Sequence, residues 1–98
     1  MLAPGTYPLT QIESVSAGES VTVKVTNATK NDAYTVRMGV WGTRGVNGIV
    51  VDTYYTDDTG TFTATFTIPE SLKTADKIAI RFESVNAVYY AFDWFVNE

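Results

Sequence analysis

The clearest pattern in the chain is the alternation of apolar and polar residues in segment 60–69, which reads GTFTATFTIP. An alternation with a period of two is typical of a β-strand that buries one face, and threonine favours the same conformation. A turn with two aspartates and a glycine precedes the segment, and Pro69, which has no N–H for a sheet ladder, ends it. The predicted buried face consists of Phe62, Ala64, Phe66 and Ile68.

Six further segments alternate in the same way, and turn residues separate them at intervals of about 8–12 residues, the spacing of an all-β sandwich. Pro8 indicates that the first segment is an edge strand. Pro69 also opens a short helical turn, which we expect to place Leu72 in the core. The seven predicted strands cover residues 7–15, 21–26, 33–41, 49–55, 60–69, 77–84 and 88–96.

No segment has the 3.6-residue apolar periodicity of a crossover helix, which argues against a parallel α/β fold. The sequence therefore predicts one all-β domain over residues 1–98, a seven-stranded antiparallel immunoglobulin-like β-sandwich with 1–8 as an extended arm or linker. Strands 1, 2 and 5 would face strands 3, 6 and 7, with strand 4 joining the first sheet as one option. A jelly roll or another strand order fits the same pattern.

Strand alternation also predicts which side chains fill the core, because residues two apart lie on the same face of a strand. We expect one face each of strands 2, 3, 6 and 7 to point inward, in addition to the face of strand 5 described above. These inward residues are Val21, Val23, Val25, Tyr34, Val36, Met38, Val40, Ile78, Ile80, Phe82, Tyr90, Phe92 and Trp94.

The composition removes most catalytic chemistry. The chain has no cysteine and no histidine, so it lacks Ser-His and Cys-His nucleophile pairs, imidazole bases and the usual zinc ligands. Asp57 and Asp58 are adjacent in a turn, so their side chains diverge and make a poor acid–base pair. Neither they nor Asp32 lie in a calcium-binding loop motif. We therefore expect no catalytic residue, no metal and no cofactor.

Charge and hydropathy argue against two classes of partner. The net charge is −4 and the seven basic residues are scattered along the sequence, so we expect no nucleic-acid partner. No apolar run approaches the roughly 20 residues of a membrane span, so we expect no membrane insertion. Residues 1–4 are too short for a signal peptide, and we expect that a leader or preceding domains are missing before them.

The outer face of the predicted sheet of strands 3, 6 and 7 is the candidate ligand site. Small residues in its middle would leave a shallow floor between aromatic and charged side chains. An aromatic ring can stack on the apolar face of a sugar while charged groups bind its hydroxyls, although cross-strand aromatic pairs also stabilise sheets without any ligand. The candidate residues are Trp41, Tyr89, Arg37, Arg81, Asp93 and Phe95.

Several segments resemble bacterial extracellular immunoglobulin-like or fibronectin type III-like modules. Segment 56–69, TDDTGTFTATFTIP, is similar to a turn, glycine and F-x-A-x-F-x-I-P strand of such modules. The glycine-rich segment 38–49, MGVWGTRGVNGI, together with 78–81 and the aromatic segment 89–95, YYAFDWF, resembles short modules of secreted and cell-surface bacterial proteins. The resemblance implies an extracellular, non-catalytic module and carries over no catalytic residue.

These observations predict a non-enzymatic module of a secreted or cell-surface protein that acts as a structural spacer or as an adhesion or interaction domain. Its expected partners are other domains or copies of itself, with polysaccharide as a further candidate. One alternative is a carbohydrate-binding module that uses the outer face described above. A second alternative is a subunit of an extracellular fibre or surface assembly, in which the N-terminal arm adds a strand to a neighbour.

Overall fold

The computed structural model describes residues 8–86 and 89–98; residues 1–7 of the predicted arm and 87–88 of the predicted seventh strand lie outside the described residues. The described chain forms seven β-strands and one turn of 3₁₀ helix, with bounds within two residues of those predicted. The elements are β1 (Leu9–Ser16), β2 (Ser20–Thr26), β3 (Ala33–Val40), β4 (Ile49–Tyr55), β5 (Phe62–Thr67), the 3₁₀ turn (Glu70–Leu72), β6 (Lys77–Ser84) and β7 (Tyr90–Val96).

The strands form two antiparallel sheets that pack as a β-sandwich. One sheet has the order β1-β2-β5 and the other the order β4-β3-β6-β7. β1 is an edge strand, as predicted from Pro8. The option that placed the fourth strand with β1, β2 and β5 is wrong, because β4 pairs with β3 and sets Thr53 opposite Thr35. Consecutive antiparallel strands joined by a short loop usually pair in this way.

The core lies between the sheets and is filled by alternate residues of β2, β3, β5 and β6. Phe66 meets Phe82 with ring centroids 5.6 Å apart, and Phe62 stacks on Tyr54 at 4.0 Å where the edge strands β4 and β5 approach. Leu72 is buried, which confirms the predicted role of the short helical turn. Nine predicted core residues have no exposed surface: Val21, Val23, Val25, Tyr34, Val36, Met38, Ile78, Ile80 and Phe82.

The seventh strand faces the opposite way from the prediction. Its register sets Trp94 opposite Ala79 and Phe92 opposite Arg81, and directly opposed side chains lie on the same face of a sheet. Because the intervening Ile80 fills the core, Ala79 and Arg81 point outward, and the two aromatic residues point outward with them.

The predicted core positions on β7 are therefore wrong: Tyr90, Phe92 and Trp94 are 49%, 42% and 47% exposed. Ala91 and Phe95 take their place in the core. The prediction failed because both faces of this strand carry aromatic residues, so alternation alone does not select the buried face. Val40, also predicted in the core, is exposed because it is the last residue of β3 and lies next to the turns of the following loop.

Candidate functional site

The exposed rings of β7 form a row along the outer face of the four-stranded sheet. Tyr90, Phe92 and Trp94 alternate along one side of the strand, which spaces neighbours about 7 Å apart along it. The first two stack with centroids 6.4 Å apart. Trp41, which follows β3, extends the row and meets Trp94 edge to face at 6.2 Å. We call these four residues the aromatic strip; they are between 42% and 54% exposed.

Each ring of the aromatic strip has a positive charge close to it. The Lys77 ammonium lies 4.8 Å and 5.6 Å from the ring centres of the two tryptophans. The guanidinium carbon of Arg44 lies 5.7 Å from the centre of the phenylalanine ring, and that of Arg81 lies 4.2 Å from the tyrosine ring. These distances are within the roughly 6 Å range of cation–π attraction. The site therefore presents positive charge directly over its half-exposed aromatic rings.

The glycine-rich loop 41–48 folds back over the outer face of β3 and β6. Three successive turns shape it, with hydrogen bonds from Thr43 N to Val40 O, from Val46 N to Thr43 O and from Gly48 N to Gly45 O. Gly45 is buried with φ of +73°, and a Cβ added there would lie 2.6 Å from Arg81 Cβ.

This loop covers the shallow floor that the sequence predicted. A Cβ added at Gly39 would lie 3.7 Å from Gly45 Cα and 3.8 Å from Gly48 Cα, and the neighbouring Ala79 is only 2% exposed although it points outward. The prediction of an open floor is wrong because small residues on the sheet allow the loop to pack closely against it. The accessible site is the aromatic strip beside the loop.

Two arginines hold the loop to the sheet. Arg37 Nη1 donates to Gly48 O at 3.0 Å, and Arg81 Nη1 donates to Arg44 O at 3.4 Å. Their Nε atoms donate to the two carboxylate oxygens of Glu83 at 2.8 Å and 2.7 Å. Partial burial opposes ionisation of this carboxylate, but the hydrogen bonds and charges of both arginines hold the pKa of Glu83 below its usual value.

The backbone places Arg44 on the aromatic strip at some energetic cost. Its φ is +58°, in the left-handed region, which costs a residue with a Cβ about 1–2 kcal/mol. Glycine would adopt this conformation without strain. The observed arginine instead contributes a guanidinium near Phe92, so the strained position carries a charged group that glycine could not supply.

The outer face of the four-stranded sheet is positively charged in an acidic protein. It holds four of the seven basic residues and one of the eleven acidic residues, which leaves it at +3 while the whole chain is at −4. The sequence did not indicate this clustering, because one pair of these residues lies at least 33 positions from the other pair, and the two pairs share a face only when β3, β6 and the loop come together. They are Arg37, Arg44, Lys77 and Arg81, and the acidic residue is Glu83.

The structure brings three of the six sequence-predicted site residues together. Trp41, Arg37 and Arg81 all lie on the outer face, although the two arginines are largely engaged by Glu83 and by the loop.

The other three predicted residues do not join them. Phe95 is 3% exposed and belongs to the core. Asp93 lies on the core side of β7, at the sheet edge, and accepts a hydrogen bond from Thr10 of β1 at 3.1 Å. Tyr89 lies just before β7, and its carbonyl accepts a hydrogen bond from Ser84 N at 3.0 Å. The outward assignment of Phe95 and Asp93 is wrong, because the pairing of β7 with β6 sets the opposite face outward.

Sequence reasoning missed five residues of the site. The inverted face of β7 hid its three aromatic residues, and Asp93 supported the wrong choice, because a carboxylate is expected on the solvent side of a strand but is tolerated on the core side at the edge of a sheet. No sequence signal placed the two cations near the rings. The missed residues are Tyr90, Phe92, Trp94, Lys77 and Arg44.

A second cluster surrounds the buried carboxylate of Asp32, which is 6% exposed. Its Oδ2 accepts hydrogen bonds from the hydroxyls of Ser84 and Thr29, and its Oδ1 accepts from Ala33 N and from the side chain and backbone of Asn86. The cluster joins the segment before β3 to the end of β6 and the residues that follow it.

Burial opposes ionisation of Asp32, but hydrogen bonds from Ser84, Thr29, Ala33 and Asn86 outweigh it and lower the pKa to about 2. A general base needs a pKa near the working pH and free acceptor capacity, and this carboxylate has neither. The cluster is therefore a structural element of the fold.

Among residues 8–86 and 89–98, no group of three or more His, Cys, Asp or Glu side chains is arranged to hold a metal ion. In the same part of the chain, no helix has the length and apolar character needed to cross a membrane. Comparisons of the chain with protein-family models, with curated proteins and with solved structures found no match.

Proposed function

We propose that the chain is a non-catalytic, immunoglobulin-like adhesion module of a secreted or cell-surface protein, and that it binds polysaccharide through the aromatic strip. The observation that carries this proposal is the row of four half-exposed rings on one face of a sheet. Large apolar side chains that line up on a protein surface, rather than occurring singly, indicate a binding site.

The chemistry of the aromatic strip suits a sugar ligand. A pyranose has an apolar C–H face that can lie against an aromatic ring, and polar groups at its rim that neighbouring charged side chains can bind. Contacts among the rings and with Lys77 hold the side chains in place before a ligand arrives. Binding therefore costs less side-chain entropy than it would with mobile rings.

The strand order supports the immunoglobulin-like part of the proposal. Immunoglobulin domains place their strands A, B and E in one sheet and C, F and G in the other. Here β1, β2 and β5 lie in one sheet and β3, β6 and β7 in the other, which is the same arrangement. β4 is added beside β3, whereas constant-type immunoglobulin domains place the fourth strand in the opposite sheet.

The experiment is retention on a panel of immobilised polysaccharides, comparing the unchanged chain with Trp41→Ala and Trp94→Ala. We expect each substitution to weaken binding by about tenfold or more, because the stacking surface is lost. Each variant should retain the far-UV circular dichroism spectrum, since both rings lie outside the core. The matched control is Tyr55→Ala, which removes a ring that is 76% exposed on β4 and should leave retention unchanged. Failure of every polysaccharide to retain the chain, or equal retention of the tryptophan variants, would contradict the proposal.

A second candidate is self-assembly through β4, which is the other edge of the four-stranded sheet. This strand exposes Ile49, Val50 and Tyr55, at 45%, 52% and 76%, and an apolar edge strand is a template for pairing with another chain. Assembly predicts a concentration-dependent increase in mass in analytical ultracentrifugation that Val50→Lys abolishes. A monomer at all concentrations that also fails to bind any polysaccharide would instead favour a spacer.

A further inference from the structure

We propose that the aromatic strip selects polysaccharides whose anionic groups are borne on the pyranose ring itself, as carboxylate or sulfate. This inference rests on the proposed function and specifies its ligand. It follows from the charge of the face, from the distance between each cation and its ring, and from the narrow shape of the accessible surface.

The charge of the face indicates an anionic partner. The outer face of the four-stranded sheet carries +3 in a chain of net charge −4. Glu83 engages Arg37 and Arg81, so Lys77 and Arg44, at the edge of the strip, are the cations best placed to meet a ligand. The positive charge of this face attracts an anionic ligand, whereas the rest of the surface, which is acidic, repels it.

The positions of the cations indicate how the anion is attached. The charged groups of Lys77 and Arg44 lie 4.8 Å to 5.7 Å from the ring centres they accompany. A ligand that contacts both must therefore carry its negative charge next to the group that stacks. A uronic acid has its carboxylate on a ring carbon, and a sulfated sugar has its sulfate one oxygen away. A nucleotide has its phosphate separated from the base by the ribose, and an acidic peptide has no ring beside its carboxylate.

The shape of the site favours a linear polymer. The loop 41–48 covers the sheet over Gly39, so the accessible rings form a band about one strand wide along β7. A standard protein interface buries about 800 Å² on each partner and needs a broader patch. An extended polysaccharide can follow the band and contact several rings in turn.

The strained backbone of Arg44 is an independent indication that this cation is used. Strain of this kind is concentrated at functional sites, where the position of a side chain outweighs its cost in stability. Replacement by glycine would relieve the backbone strain, which favours stability, and would remove the charge, which lowers the affinity for the ligand. The two effects therefore appear in different measurements. We therefore expect Arg44→Gly to keep or raise the urea midpoint while weakening ligand binding by about tenfold.

The first test compares polymers that differ only in charge. Isothermal titration or affinity electrophoresis would measure binding of the full chain to polygalacturonate and to its methyl ester, and to dextran sulfate and unmodified dextran. We expect the charged member of at least one pair to bind about tenfold or more tightly. We also expect the affinity for this charged polymer to fall as the salt concentration is raised, because salt screens exposed charges. Single-stranded oligothymidylate and polyglutamate distinguish a nucleic acid and an acidic peptide from a sugar.

The second test assigns the binding to the face. Lys77→Gln should weaken binding of the charged polymer by about tenfold, whereas Lys24→Gln, on the outer face of the other sheet, should not change it. Both variants keep a long side chain and should keep the fold, as circular dichroism would show.

The outcomes separate this inference from the proposed function. Binding of neutral and charged polymers with equal affinity, lost in Trp94→Ala, would overturn the charge selectivity and leave polysaccharide binding in place. Equal weakening by Lys24→Gln and Lys77→Gln would overturn the assignment to this face. Tighter binding of oligothymidylate or polyglutamate than of any sugar polymer would overturn the ligand class. Binding to no polymer at all would overturn both proposals.

Discussion

Replacing Asp32 with asparagine tests the account of the buried carboxylate cluster. The substitution keeps the size of the side chain and removes its charge. Oδ1 must still accept from the N–H groups of Ala33 and Asn86, so the new amide nitrogen falls at the position of Oδ2. There the amide nitrogen meets the hydroxyls of Ser84 and Thr29, which in the unchanged chain donate to the Oδ2 oxygen. Both hydroxyls must turn away or lose their acceptor.

The pKa of Asp32 sets the expected magnitude. A fall from 3.8 in the unfolded chain to about 2 in the fold corresponds to about 2 kcal/mol of stability at neutral pH. Rearranging the two donors adds a cost on the order of 1 kcal/mol. We therefore expect Asp32→Asn to lower the free energy of unfolding by about 3 kcal/mol near neutral pH, a large part of the stability of a small domain.

The pH dependence has a definite sign. Because the folded pKa lies below the unfolded value, the stabilisation is fully present above about pH 4 and is lost as the pH falls toward 2. The unchanged chain should therefore lose about 2 kcal/mol more than Asp32→Asn over this window, and the difference between the two stabilities should narrow to about 1 kcal/mol at its acid end.

The assay is urea denaturation followed by far-UV circular dichroism at a series of pH values from neutral to acid. The control is Asp57→Asn, because the Asp57 carboxylate is exposed and the hydroxyl and N–H of Thr59 lower its pKa through local hydrogen bonds. That change should have a small effect on stability. If Asp32→Asn were as stable as the unchanged chain at neutral pH, or less stable by the same amount at every pH, the reasoning would be refuted.

Two further predictions concern the core and the loop. Phe66→Ala should lower the free energy of unfolding by about 3–5 kcal/mol, because the ring is only 2% exposed and packs on Phe82; an unchanged urea midpoint would show that the core is assigned wrongly. Gly45→Ala should cost about 1–3 kcal/mol and shift the fluorescence of Trp41, because the new Cβ would meet Arg81 at 2.6 Å in a left-handed backbone. A spectrum and midpoint like those of the unchanged chain would contradict the close packing of this loop.

Local sequence determined the strands and most of the core. Alternation with a period of two is a property of neighbouring residues, so it located all seven strands and the buried faces of β2, β3, β5 and β6. In these strands one face is apolar and the other is polar or small, as Val21, Val23 and Val25 alternate with Thr22 and Lys24. Only one choice of buried face is compatible with water on the other side.

Tertiary structure decided the face of β7 and thereby the site. Ala91 and Phe95 compete with Phe92 and Trp94 for the core, and alternation permits either choice. Pairing with β6 selects one of them, because Ile80 faces the core from the neighbouring strand. The same long-range pairing places the cations on one face, since Arg44 and Lys77 are 33 positions apart in the sequence and lie over neighbouring rings of the aromatic strip only when the strands pair. Sequence alternation fixes the orientation of residues relative to their own strand, whereas the position of a strand in its sheet depends on contacts between distant segments.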